Sequence, residues 1–149
     1  MWRRLGQLPG DERADLLPAA WRLVVVWLLL GTVGPTRSRR WLGRSASKPA
    51  VSDDELACWR RRALGLKRIG ARLPGARCLA RSLCLWWWMR SAGLDAMLEM
   101  GVRRDESGAV TGHAWVSIGG RPVDETAATV ARFQPLRWSD WPDQVVIDQ

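Results

Sequence analysis

One imidazole, His113, and three thiols, Cys58, Cys78 and Cys84, are the nucleophile-and-base chemistry available among 149 residues. A thiol attacks as its thiolate, a neutral imidazole is its usual base, and a third group must fix the imidazole tautomer. Cys78 stands where the chain should enter a helix. Pro74 and Gly75 precede "RCLARSLCLWWWMRSAG" (Arg77–Gly93), which has no breaker until Gly93. At a helix start the unpaired backbone N–H groups and the positive dipole end favour the thiolate, and Arg77 and Arg81 add positive charge nearby. Cys84 lies six residues on, about 240° round at 3.6 residues per turn, and reads as core. Cys58 falls inside the preceding helical stretch and reads as a small buried hydrophobe.

The base sits in "TGHAWVSIGG" (Thr111–Gly120), followed by "RPVDET". Two short runs around a Gly-Gly pair predict a β-hairpin. A two-residue loop at Gly119–Gly120 pairs Ile118 with Arg121, Trp115 with Asp124 and His113 with Thr126. His113, Trp115 and Asp124 then project on one face, with Asp124 diagonal to the imidazole and Glu125 on the opposite face. A loop longer or shorter by one residue reverses that choice. The candidate catalytic residues are therefore Cys78, His113 and, conditionally on the register, Asp124, with Trp115 as a candidate substrate-binding residue.

These side chains need elements to hold them. "DERADLLPAAWRLVVVWLLLG" (Asp11–Gly31) begins with acids and stops at glycine, as a helix prefers, with Pro18 a point of kinking or division. "GPTRSRRWLGRSASKPA" (Gly34–Ala50) is rich in Gly, Ser, Pro and Arg and reads as a linker. Ser52 followed by Glu55 is a capping box, which starts a helix running to about Ile69. The Cys78 helix is apolar nearly all round, as a central buried helix would be. In "DAMLEMGVRR" the alternation of Ala96, Leu98, Met100 and Val102 is that of a strand. The expected fold is α+β: helices first, then a central helix packed on a small antiparallel sheet. Residues 1–50 form a helical segment and linker and 51–149 the core, within one compact unit.

Composition removes several functions. Odd cysteines without paired spacing argue against a secreted disulfide framework, and the chain reads as cytoplasmic. Three Cys and one His could make a zinc tetrad, but the spacings contain no close ligand pair, so no metal is expected, and no cofactor. No phosphate loop or dinucleotide fingerprint is present. Residues 1–90 carry 18 Lys+Arg against 6 Asp+Glu, and 91–149 carry 5 against 9. That basic half is as consistent with a solubilising shell as with an anionic partner, and the Trp86–Trp88 run reads as packing, so nucleic acid is not inferred. "LVVVWLLL" (Leu23–Leu30) is too short to span a bilayer and reads as buried, with contact at a membrane surface as the alternative.

The stretch Pro74–Glu125, through "CLARSL", "AGLDAMLEMGVRR", "GHAWV" and "GRPVDE", resembles the transglutaminase-like cysteine protease domain of lasso-peptide biosynthesis, specifically the stand-alone leader peptidases called B2 proteins. The resemblance covers about a third of the chain in detail. It implies a Cys-His-Asp peptidase that removes the leader from a ribosomally made precursor, with Cys78 at the family's nucleophile, His113 in its "HAW" motif and Asp124 at its acidic residue. It also implies partners: the precursor peptide, a separate leader-binding recognition protein and an ATP-using macrolactam cyclase. The only glutamine upstream of Cys78 is Gln7, which leaves the backbone N–H of Cys78 as the oxyanion donor the sequence identifies. A transglutaminase or amidase using the same residues, and a non-enzymatic scaffold for the maturation complex, are the alternatives.

Overall fold

The computed structural model describes residues 10–43, 45–74, 77–104, 106, 108–137 and 146–147, with side chains described for those between 17 and 137. Helix α1 (Gly10–Leu42) passes straight through Pro18 and Gly31 and breaks only at Gly34, whose φ of 77° is open to glycine. Pro35 follows at the first position of the second helical piece, where its missing N–H costs nothing. The expected linker is thus helical as far as Leu42, because an Arg-rich segment with one glycine at its head is still a good helix former once that glycine takes the turn.

Helix α2 (Asp53–Gly70) carries the capping box the sequence announces: Glu55 N–H donates to Ser52 Oγ at 3.2 Å and Ser52 N–H to Glu55 Oε2 at 3.4 Å. Its Leu56, Trp59, Ala63, Leu66 and Gly70 form one buried stripe at helical spacing. Helix α3 (Cys78–Ser91) is buried on nearly every side, as its unpatterned apolar sequence requires, and packs on α1, α2 and the sheet. The three consecutive tryptophans splay around it. Trp86 Nε1 donates to Ala96 O at 3.0 Å, Trp87 meets Trp21 edge to face, and Trp88 does the same with Trp59.

Strand β1 (Met97–Arg104) pairs antiparallel with β2 (Val110–Ile118) from Met97↔Ser117 to Arg104↔Val110. The short β3 (Arg121–Pro122) continues beyond β2, and β4 (Gln134–Pro135), which follows the single turn α4 (Ala127–Val130), lies on the far side of β1. β5 (Val146–Ile147) runs parallel to the start of β2. The fold is α+β, with helices on one side of a small, mainly antiparallel sheet and α3 between the sheet and α1 and α2.

The "LVVVWLLL" run is one part of a helical stretch, Leu17–Leu42, whose most apolar 18 residues have a mean hydropathy of 1.7, long and apolar enough by length and composition to cross a membrane. It is not buried throughout as expected. Ala19, Leu23 and Val26 pack into the core, while Leu17, Trp21, Val24 and Leu28 on the opposite face are exposed. Cys58 is half-buried where a buried residue was expected, and Cys84 is fully enclosed.

Candidate active site

Cys78 is the first residue of α3, as its sequence position requires. Arg77 before it is extended and contributes no side-chain cap, so the helix opens without a competing acceptor from that residue. The side chain is 3 % exposed and packs with Leu79, Met100 and Ala114. Cys78 and Arg81 border a cleft of about 500 Å³.

β2 carries His113, directly opposite Gly101 of β1. The glycine is a steric necessity: a Cβ there would stand 2.8 Å from Phe133 Cβ and from Gln134 O, and 3.0 Å from the Trp115 ring. The vacated space lets Phe133 stack on the imidazole, with centroids 5.1 Å apart and planes 25° apart. Trp115 extends the stack at 6.3 Å, and Arg103 lies over the outer face of Phe133. Trp115 itself is 2 % exposed, donates from Nε1 to Glu99 Oε2 at 2.8 Å and borders a separate small recess, away from the Cys78 cleft.

The hairpin forms with the expected register, Ile118↔Arg121 and Ser117↔Pro122, but the ladder stops at Pro122. Val123 N–H still donates to Val116 O at 2.9 Å, and then the Asp124 side chain takes over. Its Oδ1 accepts Val116 N–H at 2.7 Å, replacing the backbone carbonyl a longer strand would have offered. Its Oδ2 lies 2.6 Å from Ser82 Oγ, which is also 3.0 Å from Ala114 O. This clamp ties the end of the hairpin to α3 and bends the chain. Glu125 consequently swings to the imidazole, with Oε1 3.1 Å from His113 Nε2. The two acids therefore exchange the places that strict alternation predicted: Asp124 points away from the imidazole and Glu125 towards it.

The charges follow from these contacts. For His113, burial works against the imidazolium, but the neighbouring Cys78 sulfur and the Glu125 carboxylate outweigh it and raise the pKa from 6.5 to about 9. Neither ring nitrogen has a well-aligned hydrogen bond, so the Glu125 contact is an ion-pair approach rather than a linear N–H···O bond. The His113 contact holds Glu125 below the usual carboxylate range against the effect of burial, assisted by Lys67 and Arg81. Burial pushes Asp124 upward, opposed by its bonds from Ser82 and Val116. A protonated Asp124 can donate to Ser82 Oγ while Ser82 donates to Ala114 O, so the clamp is satisfied in the neutral form as well. Burial raises the Cys84 thiol to about 12, which makes it a poor nucleophile.

Of the candidates read from sequence, Cys78 and His113 meet, Asp124 stands beside them as a brace, and Trp115 lies behind the imidazole. Gln7 is outside the described residues. Sequence reasoning missed Glu125, Ser82, Phe133 and Gly101. Pro122 was the available signal, since proline ends a ladder and cancels the alternation beyond it. Among the described residues no group of three His, Cys, Asp or Glu side chains is placed to hold a metal ion.

A helix-start cysteine beside a strand-borne imidazole that a carboxylate holds is an arrangement suited to acyl transfer through a thioester. Residues 20–137 match the transglutaminase-like superfamily, and the chain belongs to that superfamily, which includes cysteine proteases and transglutaminases. No curated protein and no solved structure matches it.

Proposed function

We propose that this protein is a cysteine peptidase that removes the leader from a ribosomally made lasso-peptide precursor, working in the cytoplasm with a separate leader-binding protein and an ATP-using macrolactam cyclase. Membership of the superfamily supports thiol acyl transfer. The ordered motifs from "CLARSL" to "GRPVDE" support the leader-peptidase assignment within it. The observation that carries the chemistry is the grouping of three side chains: Glu125 Oε1 lies 3.1 Å from His113 Nε2, and the Cys78 sulfur is near enough to help raise the His113 pKa. The open apolar face of α1 supports peripheral contact with a membrane surface.

In this mechanism the Cys78 thiolate attacks the carbonyl carbon of the scissile peptide bond. The resulting oxyanion is stabilised by N–H groups at the start of α3, that of Cys78 among them. Glu125 occupies Nε2 of His113, which leaves Nδ1 to exchange the proton with sulfur and substrate. The imidazolium protonates the leaving amine as the C–N bond breaks. His113, now neutral, takes a proton from water as the water attacks the thioester, and Cys78 is released with a free carboxylic acid as product. Asp124 and Ser82 hold the bend that delivers Glu125.

The test is mass spectrometry of the precursor incubated with this protein and the leader-binding protein. Leader and core fragments whose masses sum to the precursor plus one water, absent with Cys78→Ala, are expected. A product carrying an added amine would indicate a transglutaminase. Unchanged maturation by the complete system with Cys78→Ala would indicate a scaffold.

A further inference from the structure

The cleft that ends at Cys78 has a charge pattern the reaction does not require. Helix α2 presents Arg60, Leu64 and Lys67 to it, spaced i, i+4, i+7 and so aligned along one face. Arg81 of α3 faces the same space one turn on from Cys78. Between them the floor is apolar, formed by residues such as Ala63, Leu66 and Leu85. The carboxylates on the opposite wall are already committed, Asp124 to Ser82 and Val116, and Glu125 to His113. Arg60 spends one N–H on Pro122 O at 3.0 Å, whereas Lys67 and Arg81 have no close carboxylate partner among the described residues and act on Glu125 only through space. A channel with low-dielectric walls and uncompensated cations concentrates anionic ligands.

From this geometry we propose that the cleft selects peptides bearing an acidic side chain within about three residues of the scissile bond, with Lys67 and Arg81 gripping its carboxylate and Arg60 reinforcing the field. This rests on the peptidase reading above and names its substrate class. The spacing follows from elementary dimensions. Residues three apart on a helix lie about 5–6 Å from one another, and an extended peptide advances about 3.4 Å per residue. With its carbonyl at Cys78, a peptide therefore brings about its second neighbour to Arg81, and Lys67 borders the same cleft. Leu64, between the two cationic positions on α2 and 54 % exposed, offers apolar contact to the residue beside that acid.

Binding is separable from cleavage. The full-length Cys78→Ala protein, immobilised, is equilibrated with a randomised octapeptide library at low salt, and bound peptides are sequenced by mass spectrometry. Asp and Glu are expected to be enriched roughly two- to fivefold over Asn and Gln, the range of a partly exposed ion pair. The enrichment should collapse at 0.5 M NaCl, to about the extent expected of a screened pair, and should invert towards Lys and Arg when Lys67→Glu is added. Lys67 is exposed, so the variant is expected to keep the parental circular dichroism; Arg60→Glu gives a second measurement if it does not. No acid enrichment, or enrichment unchanged by both substitutions, overturns the proposal. The two readings fail separately: wild-type protein that cuts no peptide while Cys78→Ala keeps its acid preference removes the peptidase alone. Cys78-dependent cutting of peptides that Cys78→Ala binds without acid preference removes the acidic substrate class alone.

Discussion

Replacing Glu125 by Gln should damage catalysis far more than replacing Asp124 by Asn. The His113 pKa rises from 6.5 to about 9 although burial opposes it, so Cys78 and Glu125 together supply a net 3 kcal/mol or so to the imidazolium at about 1.36 kcal/mol per unit. If Glu125 provides about half, its loss costs ~1.5–2 kcal/mol in the state that protonates the leaving amine. That corresponds to roughly a ten- to thirtyfold fall in kcat/KM. Asp124→Asn keeps an oxygen for Val116 N–H, and its amide can donate to Ser82 Oγ while Ser82 donates to Ala114 O, so every bond of the clamp survives. Its activity should stay within about threefold of wild type, because no contact to the imidazole is lost. The assay is precursor cleavage followed by mass spectrometry, paired with NMR titration of the ring protons. With one histidine in the chain, the imidazole signal needs no assignment. Glu125→Gln should lower that pKa and Asp124→Asn should leave it nearly in place. The opposite pattern, a silent Glu125→Gln and an inactive Asp124→Asn with normal folding, would refute the assignment of roles.

Three further outcomes follow from the same contacts. Because the folded pKa of His113 is raised, its contribution to stability is complete below pH 6.5, is lost between there and about 9, and is absent above that. Wild type should therefore lose up to about 3 kcal/mol relative to His113→Gln across that window, read by denaturant melts at stepped pH. Gly101→Ala should destabilise the fold by about 1–3 kcal/mol and slow cleavage, because a Cβ within 2.8 Å of Phe133 and Gln134 pushes the ring off the imidazole; a variant with unchanged melting and rate would contradict that. Asp124→Ala, which leaves Val116 N–H unpaired, should lower stability by about 1–3 kcal/mol, measurable by thermal denaturation.

Local chemistry was legible in the sequence where one short segment decides the outcome. Ser52 and Glu55 set the start of α2, Gly119–Gly120 set the hairpin loop and its register, and the breaker at Pro74–Gly75 with the apolar run after it placed Cys78 at a helix start. The α+β layout followed from the change of apolar period between Ser91 and Met97. What escaped depends on contacts between distant segments. The exchange of Asp124 and Glu125 follows from Pro122 ending the strand and from Ser82, 42 residues earlier, catching Asp124. Phe133 reaches His113 only because Gly101 on a different strand leaves room. The Arg-rich segment before Leu42 reads by composition as a linker, yet one positive-φ glycine suffices to restart the helix. The exposed face of α1 was hidden for a related reason: an apolar run shows how much surface wants to leave water, not which neighbours cover it.

If His113 and Glu125 activate Cys78, the alkylation order of the three cysteines will show it without substrate or partner. The protein is treated with limiting iodoacetamide at pH 7, quenched at intervals, and each cysteine quantified by peptide mass spectrometry. Exposure alone favours Cys58, which is half-buried, over Cys78 at 3 % and Cys84 at 0 %. Cys78 is expected to react first nonetheless, and His113→Ala to remove its lead while leaving Cys58 unchanged. Labelling of Cys58 ahead of Cys78 in the folded wild type, or a Cys78 rate indifferent to His113→Ala, would contradict it.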